Sequence, residues 1–148
     1  MQGIAHYRGH PYHFMLIPFP VAFWTGALIT DGIGAFTHDP FWFRMSVVLI
    51  AMGSVAGFAA AIAGYIDYRT APMTRKAQSL ADGHLKWSLG TIVLYPIAWA
   101  LRAQDHASLA GIAVSIAGSA LLFVSAFLGS ELTNRHKVGI TEEPAPSR

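Results

Sequence analysis

The sequence predicts an all-α protein, a four-helix transmembrane bundle that runs up-down-up-down with short loops. Three observations predict it. The 148 residues are 53% hydrophobic and 12% charged, with a mean hydropathy of +0.43, whereas an ordinary soluble domain is about 25% charged. Four apolar stretches approach the roughly 20 residues that cross a hydrocarbon core. The connections between them are short, which makes consecutive helices antiparallel neighbours.

The first helix is expected at about 14–33, "FMLIPFPVAFWTGALITDGI". Pro18 and Pro20 cannot donate and clash with carbonyls a turn earlier. The regular helix therefore begins near Pro18 or kinks there, and "HPYHFMLI" is irregular or bent. The second helix is expected at about 45–66, after "GAFTHDPFWFR", whose Phe41, Trp42 and Phe43 read as an interfacial aromatic belt. The third is expected at about 84–101, after "DYRTAPMTRKAQSLADG". Pro72 would open a surface segment ahead of it, Trp87 would sit at the interface and Pro96 would bend it. The fourth is expected at about 107–130, after "RAQDH". Together these make one membrane domain, residues 1–140, followed by a polar, proline-containing tail, residues 141–148, expected to be disordered.

The second helix carries Gly53, Gly57, Ala60 and Gly64, and the fourth carries Gly111, Ser115, Gly118, Ser125 and Gly129, interrupted by Leu122. Such stripes let helix backbones approach closely. They also make room for a flat ligand such as a porphyrin, and both readings stay open.

Charge sets the orientation. The end that holds both termini carries Arg8, Arg69, Arg75, Lys76, Lys86, Arg135, Lys137 and Arg148, and the other end only Arg44 and Arg102. The positive-inside rule places both termini in the cytoplasm. The net charge of +2 is too small to suggest a nucleic-acid partner, and the partner it does imply is the lipid bilayer. The absence of cysteine excludes disulfides, zinc–thiolate sites, cysteine-ligated iron–sulfur clusters and covalent haem attachment. A cleaved signal peptide is not expected, while a signal-anchor role for the first helix stays open.

Antiparallel crossing gathers His10 and His13, Asp67, His84, and Glu131 with His136 at the end holding the termini. His13 lies eighteen residues before Asp31, and His84 eighteen before Arg102. At about 1.5 Å per residue both imidazoles sit about 27 Å from the opposite end, at one depth. Each residue has an ordinary alternative. His10 and His13 could cap or snorkel, and His84 could face water in a first helical turn. His136 could be solvated, Asp67 could pair with Arg69 or Lys86, and Glu131 could pair with Arg135 one turn on. Their convergence from four helix ends argues for a site.

Two chemistries suit that site. Neutral imidazoles on two helices can hold the iron of b-type haem, with His13 and His84 as the metal ligands. His10, one helical turn from His13, would substitute or orient a propionate, and Arg8, Lys86 or Arg135 would meet the propionates. His136 and Asp67 would support the ligands or form part of a quinone pocket, and Glu131 would stand behind them. Alternatively, histidine with aspartate or glutamate holds non-haem iron or zinc. No hydrolase triad, phosphate loop or dinucleotide fingerprint appears, so no catalytic residue is assigned. A transporter is disfavoured by the lack of mid-membrane charge and of paired broken helices. A role as an accessory subunit of a larger complex is the rival to electron transfer.

The sequence resembles an uncharacterised family of small four-helix bacterial membrane proteins, domain of unknown function 2231. The resemblance rests on "HPYHFMLIPFP" with Asp31, on "GYIDY", on His84 with "ALR", and on "GSELTNRHKVGI". It covers roughly Gly9 to Ile140, and it departs at Ser130 and Lys137, where glycines are usual. The family implies a bacterial inner-membrane location. Its members can be joined to Rieske iron–sulfur domains, which implies electron transfer and membrane redox subunits, or a second copy of the chain, as partners.

Overall fold

The computed structural model describes residues 3–140, so the expectation of a disordered tail at 141–148 falls outside the described residues. The chain opens with a small antiparallel hairpin, β1 (His6–Tyr7) and β2 (His10–Pro11), in which His6 faces Pro11 and Tyr7 faces His10. Arg8 and Gly9 between them both take positive φ, 50° and 82°, the geometry that matches a two-residue turn to strand twist. This hairpin is not among the elements expected from the sequence. It is tied down by the backbone N–H of Ala5, which donates to Asp67 Oδ1 at 3.0 Å, and that of Ile4, which donates to Thr70 Oγ1 at 3.1 Å.

Five helical segments follow: α1 (Tyr12–Leu16), α2 (Pro18–Thr37), α3 (Pro40–Thr70), α4 (Arg75–Leu101) and α5 (Leu109–His136). The expected first helix is thus two pieces, interrupted at Ile17 immediately before Pro18. The remaining helices are longer than expected because their caps lie further out. Asp39 accepts from Phe41 N at 2.9 Å with Pro40 in the first turn, so the aromatic segment joins α3. Thr74 accepts from Ala77 N at 3.3 Å, which makes the expected surface segment the first turns of α4. Helix α5 runs past residue 130 to His136 and ends on Lys137 in the left-handed region, φ 53°, a position glycine favours.

Helix α2 packs along α3, α3 along α4, α4 along α5, and α5 returns to α2. Among the described residues, three segments are long and apolar enough to cross a membrane: Tyr12–Thr37, Pro40–Thr70 and Leu109–His136. Helix α4 is not among them, because its apolar stretch 84–101 is diluted by His84, Lys86, Tyr95 and Pro96. It nevertheless packs along α5 for much of its length.

Three layers cross the middle of the bundle between α1–α2 and α4. At one end the rings of His13 and His84 meet edge-on, centroids 6.4 Å apart and planes at 83°. In the middle Trp24 stacks on Tyr95 at 4.3 Å and 2°. At the far end Asp31 meets Arg102. The layers fall eleven and then seven residues apart on both sides, at His13, Trp24, Asp31 and at His84, Tyr95, Arg102. Ala27 and Ala98 hold matching places in this register, and both are fully buried. The chain is two hairpins of one design, α2–α3 and α4–α5.

The glycines serve these layers. Rather than bringing bare backbones together, they receive large side chains. A Cβ on Gly53 would stand 2.5 Å from the Trp24 ring, on Gly57 2.7 Å from it, on Gly64 2.7 Å from His13, and on Gly118 or Gly129 3.1 Å from Tyr95 or His84. Trp24 needs both Gly53 and Gly57. The smaller Tyr95 needs only Gly118, so the place matching Gly57 can hold Leu122, which packs on the core. This explains the interruption in the second stripe.

Candidate functional site

His13 sits on α1, just ahead of the break that the prolines impose. Its Nδ1 lies 2.8 Å from the carbonyl oxygen of Ala60 on α3. His84 sits two and a half turns into α4, with Nδ1 2.9 Å from the carbonyl oxygen of Ser125 on α5. A carbonyl only accepts, so in the neutral form each Nδ1 carries the hydrogen and each Nε2 keeps its lone pair. Helix carbonyls are free to take a second bond here because Gly64 and Gly129 offer no Cβ to hold the rings away.

The surroundings of the two rings differ. Ser88 Oγ lies 3.5 Å from His84 Nε2, Ser125 Oγ 3.3 Å from His84 Nδ1, and the two hydroxyls 2.6 Å from each other. The matching places near His13 are Ile17 and Ala60, which carry no hydroxyl.

Both imidazoles line a cavity of about 970 Å³ that reaches all four long helices. Its walls are nearly all apolar, with Phe14, Val21, Leu85 and Ile92 among them. Asp67 and Tyr68 stand at the end near the termini, and among the described residues no Lys or Arg lines it.

Of the other expected site residues, Asp67 shares the cavity and the rest lie outside it. His10 is on strand β2 and exposed, not one helical turn from His13, because the hairpin replaces the expected helix start. Arg8 is exposed in the hairpin turn, its guanidinium 5.8 Å from the Tyr7 ring centre. Lys86 is exposed on α4, outside the cavity. Asp67 anchors the N-terminal segment through Ala5, rather than bonding to a histidine. Glu131 pairs with Arg135 at 2.9 Å one turn on, the ordinary alternative foreseen for it. With His136 and Lys76 these two line a separate hollow of about 420 Å³ between α4 and α5. The geometry therefore unites His13 and His84, with Asp67 in the same cavity, and separates them from the rest. Among the described residues, no three His, Cys, Asp or Glu side chains come together as a metal-binding group.

A family model described as "predicted membrane protein (DUF2231)" matches residues 9–142. The chain belongs to this family. Neither a curated protein nor a solved structure matches it. As a DUF2231 member it is a membrane protein built of apolar helices, in agreement with the resemblance carried by its histidine segments.

The sequence reading missed the partners around the two imidazoles and along the same helices: the Ala60 and Ser125 carbonyls, the Trp24–Tyr95 stack and the Asp31–Arg102 pair. One signal could have found the side chains. The spacing of eleven then seven residues recurs in the two halves, and Asp31 and Arg102 were legible as depth markers though not as partners.

Proposed function

We propose that the protein binds b-type haem between His13 and His84 and passes electrons within a bacterial inner membrane, with both termini cytoplasmic. The observation that carries this reading is the pair of imidazoles in an apolar cavity, ring planes at 83°, each with Nδ1 committed to a helix carbonyl. Ligand histidines characteristically donate their second ring nitrogen in this way, which fixes the tautomer and the ring orientation. The interval of 6.4 Å between ring centres also suits the group. Two imidazole–metal bonds of about 2 Å each, plus half of each ring, would span a gap of this size with both Nε2 atoms turned toward it. The cavity volume of about 970 Å³ lies at the upper end of the roughly 300–1,000 Å³ common for bound cofactors.

Bound haem supplies reversible one-electron chemistry, whose potential depends on burial and axial ligands. The chain's own part is to present two neutral nitrogens, to exclude water with Trp24, Phe14 and Ile92, and to keep both rings from turning. The basic side chains once assigned to the propionates are outside the cavity, so Asn134 and Thr133 at its rim are the nearer polar groups.

That same lack of Lys and Arg favours a second reading, a neutral quinol. Its hydroxyls would donate to the two Nε2 lone pairs, and the isoprenoid chain would lie along the apolar wall. An absorption spectrum of the purified protein tests both. A Soret band with reduced-form α and β bands, diminished or shifted in His13→Ala and His84→Ala, is the expected result. Full haem content with unshifted bands in both variants overturns the ligand assignment. A colourless protein whose organic extract contains quinone selects the second reading.

A further inference from the structure

We infer that Gly64 and Gly129 are positioning residues, and that the site is assembled from two like half-sites, one per hairpin. Each half-site has three parts in the same register: an imidazole, a helix carbonyl that fixes its tautomer, and a glycine one turn beyond that carbonyl. In the first hairpin these are His13, Ala60 and Gly64. In the second they are His84, Ser125 and Gly129. His13 and His84 are separated from Trp24 and Tyr95 by the same eleven residues, and Gly64 and Gly129 from Gly53 and Gly118 by the same eleven. The likeness thus extends over both helices of each hairpin, beyond a chance pair of small residues.

The physical reason for the glycine is local. A carbonyl inside an α-helix already accepts from the N–H four residues on. For a side chain from another helix to reach that carbonyl, it must lie over the residue that supplies this N–H. From Ala60 that residue is Gly64, and from Ser125 it is Gly129. A Cβ on Gly64 would stand 2.7 Å from His13 Nδ1, the atom that makes the bond. On Gly129 it would stand 3.1 Å from His84 Cε1, so that ring need move only a few tenths of an ångström. These glycines therefore let the carbonyls hold the Nδ1 hydrogen in place, which leaves His13 Nε2 open to the cavity and His84 Nε2 with Ser88 Oγ at 3.5 Å as its one neighbouring hydroxyl. The ligand meets one equivalent nitrogen from each half of the chain. The inference depends on the haem reading only for the identity of that ligand, since the tautomers and ring positions belong to the protein.

The test is imidazole ¹⁵N–¹H spectroscopy of the full-length, ¹⁵N-histidine-labelled protein as purified, reduced, in detergent. His13→Gln and His84→Gln assign the signals. The expected result is a Nδ1-protonated neutral ring at both positions. Gly64→Ala moves or abolishes the His13 signal alone, and Gly129→Ala moves the His84 signal alone and by less. Gly32→Ala moves neither, because a Cβ at Gly32 meets nothing within 4 Å. An unmoved His13 signal in Gly64→Ala, or Nε2-protonated rings in the unmodified protein, overturns the inference. Where Gly64→Ala fails to assemble, adding His13→Ala removes the clash and restores the folded yield, and no restoration also overturns it. The absorption spectrum of the same samples keeps the two proposals apart. A colourless protein with the expected signals sinks haem and leaves the positioning role standing. A haem-loaded protein with an unmoved His13 signal does the reverse.

Discussion

Arg102, fully buried, clasps Asp31 with both arms of its guanidinium, at 2.6 Å from Nη2 to Oδ1 and 2.8 Å from Nη1 to Oδ2. Ser46 Oγ and the carbonyls of Phe43 and His106 accept the remaining donors, at 3.2, 3.5 and 2.8 Å. A charge removed from water is tolerable only when paired and fully hydrogen-bonded, and here five contacts from three chain segments supply that. The pair joins the two hairpins at the end opposite the imidazoles, where both ligand helices are held in register.

Removing one partner leaves a buried charge unmet. Asp31→Asn or Arg102→Met is expected to lower stability by about 3–5 kcal/mol. Arg44→Gln, on the exposed start of α3, should change it by less than about 0.5 kcal/mol. Thermal unfolding of purified protein in detergent measures the difference, and equal midpoints for Asp31→Asn and Arg44→Gln would contradict it.

The glycine stripe on α3 should tolerate substitution very unevenly. Gly57→Leu would drive side-chain atoms into the Trp24 ring, because even a Cβ there stands 2.7 Å from it. Ala59 is exposed, so Ala59→Leu only adds a methyl-rich surface to a lipid-facing side. The first variant is expected to lose folded yield or at least about 1–3 kcal/mol, and the second to remain near the unmodified protein. Size-exclusion profiles and thermal midpoints decide, and similar profiles for both would be the contrary result.

Acid should loosen the joint between α3 and α4. Asp82 lies ahead of the expected span 84–101, and its Oδ1 accepts from Tyr68 Oη at 2.7 Å and Gln78 Nε2 at 3.0 Å. The Tyr68 hydrogen bond first, then that of Gln78, holds its pKa below the ordinary carboxylate value of 3.8. A lowered folded-state pKa means stabilisation that is present above the unfolded-state pKa and is lost as pH falls through the folded one. Tyr68→Phe should therefore be less stable than the unmodified protein at neutral pH, with the gap closing below about pH 4. A gap independent of pH from 3 to 7 would refute this.

Orientation is open to a direct measurement. Among the described residues, seven of nine Lys and Arg lie toward the end that holds His13 and His84, so a reporter fused to the C-terminus should be active in the cytoplasm. Alkaline phosphatase activity from that fusion would reverse the orientation.

Helix number, order and the meeting of His13 with His84 were legible because hydropathy and helical rise are additive along a chain. The helix ends were less so, since Asp39, Thr74 and Lys137 cap further out than hydropathy alone suggests. The hairpin at residues 6–11 was invisible because it is held by Asp67 and Thr70, sixty residues away. His10, Arg8 and Lys86 were placed by depth alone, and depth says nothing of which way a side chain faces. The roles of Gly53, Gly64 and Gly129 needed coordinates, because a small residue reads alike whether it admits a backbone or a ring.

The acceptor of each imidazole is made well after the imidazole itself, 47 residues later for His13 and 41 later for His84. During synthesis the first half-site thus closes while the second is still inside the ribosome. A ligand that arrives early can be held from one side only, and α5 must enter the membrane before the other nitrogen is fixed. On the proposed haem reading, insertion of the last helix would be the step that times cofactor retention, and a chain arrested before Ser125 would be a one-handed intermediate.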